Sequence, residues 1–576
     1  NSSVSRIQFS PLHPTELPAN PPKYFQSQKA PQMTTLTSSD ISYSEMFDYV
    51  IVGGGSAGCV LANRLSENPR VSVALLESGP RDRGWRVQMP IAAMDGLWQS
   101  EYLNWSSWSE PEPFLNHRRI YCPHGKVLGG SSTINAMVHA RGNRHQFDEW
   151  AANGCPGWSF DDVLPFFKLS ESASVSPDQY RGHDGLFKVS RGRSNNRLDQ
   201  AFLLAGIQCG YSVTKDFNGE QQDGFGFYDH AIAEGFRVSA SSSYLDPAKH
   251  RSNLSIRTDT NVTRLQLQGK RVTCVEFVDK RGKGQISAKR EVILSAGAIG
   301  SPRILQQSGI GDGEWLQPIG VPVTHHLPGV GQNLQNHVEI VSQYKCTRPV
   351  SWFRSTQPLG KLVNGARWFL TRSGVCASSL FASGAFLKSH SEMSYPNLQL
   401  IFLPLAVDPS SAQSKPFHGF QIHVGLQGSQ SRGSVRIRSQ DPDIAPEIRF
   451  NLLSHAQDLE ELCSGIKLAR NIVNQSAFDP YRGPELLPGA SVQTDDQLYN
   501  WITHHADNSY HPTSTCKMGA ESDRLSVVNH KCQVLGLKSL RVIDASVMPE
   551  IVNANTNATV MMIAEKAASQ IKQDYR

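Results

Sequence analysis

A histidine stands between a tyrosine and a proline in Ser-Tyr-His-Pro-Thr-Ser-Thr-Cys-Lys-Met-Gly, residues 509–519. Three readings are open to it. His511 could join Cys516 and Lys517 around a metal, act alone as a proton acceptor, or sit hydrogen-bonded in the core. One histidine, one cysteine and one lysine do not make a metal set, so no metal is expected. A nucleophilic Cys516 would need a partner base and an acyl substrate, and neither is indicated. An imidazole titrates near neutrality and can take a proton from a hydroxyl, so the base reading stands beside the core reading. The stretch alone does not choose between them.

A second group of residues is more specific. Gly53, Gly55 and Gly58 make G-x-G-x-x-G directly between "YVIV" and "AGCVLANRL". The first run is apolar, β-branched and aromatic, as a buried parallel strand requires, and the second has apolar residues at helical spacing. Gly53 permits a tight turn, Gly55 lets the backbone approach a pyrophosphate, and Gly58 allows close helix–strand packing. The N–H groups opening the helix, at Ser56 and Ala57, then face the phosphates. "VSVALLE" follows as a second buried strand, and Glu77 at its end is placed to accept hydrogen bonds from ribose hydroxyls. The motif predicts a dinucleotide site without separating FAD from NAD.

The elements that must carry these groups recur along the chain. Strand, turn and helix repeat at 289–311 and again at 539–572, where a long C-terminal helix closes the sequence. Pieces at the beginning, middle and end predict one Rossmann-like α/β domain assembled from discontinuous segments. Between them, "NLQLIFLPL", "GFQIHVGLQ" and "GSVRIRS" read as strands of a sheet walling a pocket, backed by a helix over 458–475. The fold class is therefore α/β plus α+β. Expected boundaries are a flexible extension over 1–46, a nucleotide domain over 47–195, 255–340 and 538–576, and a substrate domain over 196–254 and 341–537, the latter an antiparallel sheet with helices behind it.

Composition narrows the partners. With 576 residues and a net charge of +5, no long basic run argues for nucleic acid. No run of about 18 apolar residues predicts a transmembrane helix. Ten scattered cysteines lack C-x-x-C spacing, so free buried thiols are expected. Oligomeric state is not legible.

"GKVLGGSSTINAMVHARG" (125–142), "SAGAIGSPRILQQSGIG" (295–311), the His511 stretch and "NANTNATVMMIAEKAA" (553–568) together resemble the signatures of the glucose–methanol–choline (GMC) flavoprotein oxidoreductases, in the family's order. The likeness is nearest to the choline-dehydrogenase branch, through 329–351, 180–193 and 482–495. It implies bound FAD and oxidation of a primary alcohol by hydride transfer to flavin N5. Choline to betaine aldehyde is the first expectation, and other aliphatic or aromatic primary alcohols are the alternative. Oxygen or a quinone would be the electron acceptor. His511 becomes the expected base and Asn555 its partner on the substrate oxygen. The resemblance places FAD against Gly53, Gly55, Ser56, Ala57, Gly58, Glu77, Gly129, Gly130, Ser131, Asn135, Ala136, Val262, Asp544, Ala545, Asn555 and Thr556.

Glu339 falls on the glutamate that faces the trimethylammonium group in choline-oxidising members, and Tyr510 and Ile401 join it as expected pocket residues. Trp98, Trp352 and Phe353 are candidates for an aromatic cage. Two positions depart from the pattern. Ile134 replaces the histidine that links flavin covalently in some members, so non-covalent FAD is implied. Ile401 replaces a pocket histidine, which favours a more apolar substrate. The acid-poor start, with Glu16 the one acid before Asp40, and the dehydrogenase likeness together imply a mitochondrial or other organellar location.

Overall fold

Residues that are apolar on both faces of a strand build the first sheet. All four residues of Val73–Leu76 are buried, as are Tyr49–Val52 at the end of the opening strand, Ser44–Val52. A strand with no polar face must be covered on both sides, which is the situation of a parallel sheet between helices. The computed structural model describes residues 44–575 except 95, 176–178, 410 and 412, so all but the last three residues of the expected 1–46 extension lie outside the described residues. Five strands of the seven-stranded sheet run parallel in the order 254–257, 73–76, 44–52, 282–294 and 540–542. Strands 261–268 and 271–279 continue it antiparallel from the other end of 282–294. The separated α/β pieces thus meet in one sheet, as expected. Helices Ser56–Leu65 and Asn557–Asp574 pack in the same core with this sheet, and Val60, Leu61, Met562 and Ile563 are fully buried.

The second seven-stranded sheet is antiparallel throughout, in the order 482–487, 338–346, 419–426, 398–403, 383–387 and 224–227, with 507–508 added beside 338–339. Its pleat does the sorting. Ile340, Leu398, Leu400, Phe402, Ile422 and Val424 are buried in one cluster with Leu462 and Ile466 of helix Ala456–Val473. Their odd-numbered neighbours Glu339, Val341, Gln399, Ile401, Leu403, Gln421 and His423 point to the opposite face, toward a cavity. Strand 338–346 contains the expected boundary at 340 yet belongs whole to this sheet. Among the described residues no helix is long and apolar enough to cross a membrane.

Candidate active site

One cavity of about 960 Å³ joins the two sheets. It runs from Val52, Gly53 and Glu77 at the first sheet to Glu339, Ile401 and His423 on the second. Gly53 turns the chain at φ +103°, and a Cβ at Gly58 would stand 1.9 Å from the Gly53 carbonyl oxygen. Helix and strand touch there with no room for a side chain. At Gly55 the situation is the opposite: the nearest atoms to a Cβ, those of Gly130 and Ser295, are 3.8 Å away or more, so its missing side chain leaves open cavity. Ser56, Gly297 and Asn557, at the starts of three helices, all line the cavity and direct partial positive charge into it. A flat, glycine-walled space ringed by helix N-termini fits a dinucleotide with an anionic middle.

The remaining expected cofactor residues divide by role. Ser56, Ala57, Glu77, Gly130, Ser131, Asn135, Ala136, Val262, Asp544, Ala545, Asn555 and Thr556 line the cavity, whereas Gly58 and Gly129 do not. The Glu77 carboxylate accepts the Gly54 and Gly79 N–H groups at 2.8 Å each, and burial, only partly offset by these bonds, pushes its pKa up to about 7. Asp544 is spent on architecture. It accepts from Gly297 N–H and Ser301 Oγ through one oxygen and from Ser546 N–H and Oγ through the other, clamping the 297–307 helix to the 545–547 turn. Arg237, fully buried, donates to the Asn135 carbonyl (2.7 Å) and side chain (2.9 Å) and so braces the 130–137 loop. Ile134 is buried at the cavity and carries no group that could bond covalently to a ring.

His511 is held by an antiparallel pairing of two distant segments. Gln335 pairs with Thr513, Ser509 N–H donates to the His337 carbonyl, and Glu339 pairs with Asp507. Asn336 Oδ1 accepts the His511 N–H at 2.8 Å, and Tyr510 adopts φ +62°, a conformation that a side chain resists unless its surroundings impose it. The ring nitrogens can then be assigned in order. His337 Nε2 lies 2.8 Å from the Val552 carbonyl, which only accepts, so that nitrogen carries the proton. His337 Nδ1 is therefore a lone pair, and His511 Nδ1–H donates to it across 2.9 Å. What remains at His511 Nε2 is a lone pair, 3.3 Å from the Asn555 amide nitrogen. Asn555 is oriented in turn by Gln399 Nε2, which donates to its Oδ1 at 3.2 Å. Burial pushes His511 down to about 4 against the opposing pull of Glu339, and burial with the neighbouring His511 drives His337 lower. Both rings are neutral at neutral pH, and a base whose Nε2 lone pair accepts from the Asn555 amide faces the cavity.

The second wall carries charge. Glu339 Oε1 meets His423 Nδ1 at 3.0 Å and its Oε2 accepts from Ser509 Oγ at 3.1 Å. Burial opposes ionisation, but His423 and Ser509 more than offset it, so the carboxyl lies below its ordinary value. Trp98 and Tyr510, ring centroids 5.9 Å apart, line the same space. The other two expected cage residues do not: Trp352 and Phe353 pack against Leu380, Leu403, Leu405 and Val407. Phe381 lines the cavity instead, edge-on to His423 at 5.8 Å. Cys516 is buried outside the cavity lining with its thiol driven up by burial, and Lys517 pairs with Asp523 at 2.7 Å.

His337, Gln399, Gln421 and His423 are absent from the residues expected to form the site. His337 stands two residues before Glu339 in "QNHVE", and that proximity was the available signal. Gln421 and His423 become visible only through their register against 338–346, where Val341 opposes His423 and Gln343 opposes Gln421.

A dinucleotide cradle opening onto a neutral histidine–asparagine pair fits a dinucleotide-dependent alcohol oxidoreductase. Comparison with known proteins gives the family. GMC oxidoreductase signatures match residues 47–339 and 429–564, and the chain belongs to that family of FAD enzymes. It is 45% identical over 533 residues to the oxygen-dependent choline dehydrogenase of Escherichia coli O139:H28, covering 91% of this chain and 95% of that one. The corresponding protein of Klebsiella pneumoniae is 44% identical over the same share of this chain and 96% of its own. Among solved structures, pyridoxine 4-oxidase from Mesorbium loti superposes with a TM-score of 0.83 at 28% identity, over 92% of this chain and 99% of that one. These dehydrogenases come from bacteria, which have no mitochondria, and that finding overturns the organellar location expected from the acid-poor start.

Proposed function

We propose that the protein oxidises choline to betaine aldehyde, with His511 as the base, Asn555 as the group that orients the substrate oxygen, and Glu339 as the seat of the trimethylammonium group. The observation that carries this reading is the pairing, in one cavity, of an ionised carboxylate with a neutral histidine whose Nε2 lone pair, shared with Asn555, lies at the same space. FAD, held non-covalently along Gly53–Ala57, Glu77 and the 130–136 loop, supplies the two-electron acceptor when bound.

The chain's own residues handle the proton and the alignment. His511 Nε2 takes the hydroxyl proton as the carbinol C–H bond gives up its electron pair and the carbonyl forms. Asn555 Nδ2, held toward the same point by Gln399, donates to the substrate oxygen and fixes its direction. His337 keeps the lone pair of His511 pointing inward, because His511 Nδ1–H is already engaged. At an effective dielectric of about 20, a cation roughly 4 Å from the Glu339 carboxylate gains about 4 kcal/mol before its own desolvation is counted. Desolvation offsets part of this, and a net surplus of about 1.4 kcal/mol is enough to rank choline about tenfold above an uncharged alcohol of the same shape.

Ile401, Leu403 and Phe381 make the rest of this wall apolar, and they support a second reading in which a longer or aromatic primary alcohol is the substrate. The names of the bacterial relatives favour oxygen over a quinone as the electron acceptor. Oxygen uptake with choline and with hexan-1-ol separates the readings. Choline should be turned over with the higher kcat/KM; no uptake with millimolar choline beside clear uptake with hexan-1-ol would overturn the choline assignment.

A further inference from the structure

Glu339 can seat a cation only if its charge is not already cancelled, yet it is hydrogen-bonded to a histidine. A protonated His423 at 3.0 Å would make the pair neutral and leave nothing for a substrate cation. Four further hydrogen bonds decide which form His423 takes. The Val407 backbone N–H donates to Gln421 Oε1 at 3.0 Å, and a backbone N–H can only donate. Gln343 Nε2, whose own orientation is set by donating to the Val407 carbonyl at 2.8 Å, donates to the same Gln421 oxygen at 2.9 Å. The Gln421 amide therefore cannot be flipped, and its NH₂ group faces His423 Nε2 at 2.8 Å. That nitrogen must be a lone pair. The single ring proton sits on Nδ1, directed at Glu339.

We infer that Gln421 is a specificity-determining positioning residue: anchored by the backbone of Val407, it holds His423 as the neutral Nδ1–H tautomer, so that His423 orients Glu339 without neutralising it. A second proton on His423 would bring an Nε2–H against the Gln421 NH₂ group, donor against donor. Asp507, Tyr510 and His511 also line the cavity, as do Arg118, Asp408, His504 and His505, and the hydrogen bonds among the described residues bring only Glu339 to His423 as a carboxylate partner. Burial raises Asp507 to about 6, with the neighbouring Glu339 adding to the rise. Register explains why the device is built across strands: residues 343, 421 and 423 alternate onto one face, with Gln343 opposite Gln421. The inference rests on the reading of Glu339 as the cation seat.

The test compares kcat/KM for choline with that for 3,3-dimethylbutan-1-ol, which has the same shape without the charge. Gln421→Met removes the opposing donor and lets His423 take a second proton. The choline-to-neutral ratio should fall about tenfold, through KM for choline. Adding His423→Asn in that background removes the proton acceptor and should restore the ratio to within about twofold of the starting protein. An unchanged ratio in Gln421→Met, or a fall that His423→Asn does not restore, overturns the inference. Glu339→Gln is the control for the underlying reading. If Glu339→Gln collapses the ratio while Gln421→Met leaves it alone, the cation seat stands and the tautomer lock falls; if Glu339→Gln leaves the ratio unchanged, both fall. A long-range ¹H–¹⁵N spectrum of ¹⁵N-histidine-labelled holoenzyme, assigned with His423→Asn, reads the ring without relying on the folding of Gln421→Met. A neutral Nδ1–H pattern at neutral pH is expected, and an imidazolium pattern would overturn the inference.

Discussion

The two ends of the cavity are built in opposite ways. At the cofactor end the work is done by backbone: the Gly53 turn, the contact of Gly58 with the Gly53 carbonyl, and helix starts at Ser56, Gly297 and Asn557. At the substrate end it is done by side chains: His337, His511 and Asn555 on loops and Gln399 on a strand form one hydrogen-bonded chain, and Gln343, Gln421, His423 and Glu339 on neighbouring strands form another. A backbone cradle is shape and tolerates almost no added volume. A side-chain chain is polarity, and a change in one member is felt as a misplaced proton in the next.

That contrast predicts a descending series of effects. Gly58→Val should be the most severe, since its side chain would have to enter space already filled by the Gly53 carbonyl 1.9 Å from the Cβ. The protein should purify without flavin, read from the 450 nm to 280 nm absorbance ratio; normal flavin content would break the account of the cradle. His511→Ala should keep its flavin and lose about 10²- to 10⁴-fold in flavin reduction rate, the usual contribution of a positioned base. A loss under tenfold would remove His511 from the mechanism. His337→Leu acts one bond further back. It frees His511 Nδ1 and should cost about 10- to 100-fold in kcat, as loss of a partner that orients a functional imidazole does elsewhere, with flavin content unchanged.

The smallest effect is a displacement in pH. His511 works as a base only when unprotonated. Its folded pKa is pushed by burial from the ordinary 6.5 down to about 4, so the lone pair persists as pH falls and is lost only near the lower value. For hexan-1-ol, which carries no charge for Glu339 to sense, the acid limb of kcat/KM should therefore lie well below 6.5. A limb at or above 6.5 would contradict a water-poor site with neutral His337 behind the base.

The same contrast explains what could be read from the chain beforehand. One corner of the cofactor end is local in sequence: strand, G-x-G-x-x-G, helix and Glu77 follow within about thirty residues, the length of one βαβ unit, and each has one geometric task. His511 and Asn555 were legible through the family signatures around them. His337 and His511 are 174 residues apart, and Glu339 and His423 are 84 apart, so their partnership depends on which strands pair and in what register. Nothing in "GFQIHVGLQ" marks Gln421 and His423 as neighbours of Glu339. Trp352 and Phe353 were expected at a cage on residue type, but an aromatic ring is equally suited to an apolar cluster, and there they lie. Asp544 was expected to touch the cofactor and lines the cavity, while its carboxylate oxygens are engaged in joining the helix at Gly297 to the turn at Ser546.

The claim on which the rest depends is that a charged wall and a lone-pair histidine act on the same small cation. Anaerobic stopped-flow reduction of the bound flavin, with choline and 3,3-dimethylbutan-1-ol as the two reductants, tests it in one experiment. The account predicts that choline bleaches the flavin with a kcat/KM at least about tenfold above that of its uncharged counterpart. Equal rates for the two, or a flavin that choline leaves oxidised, would contradict it.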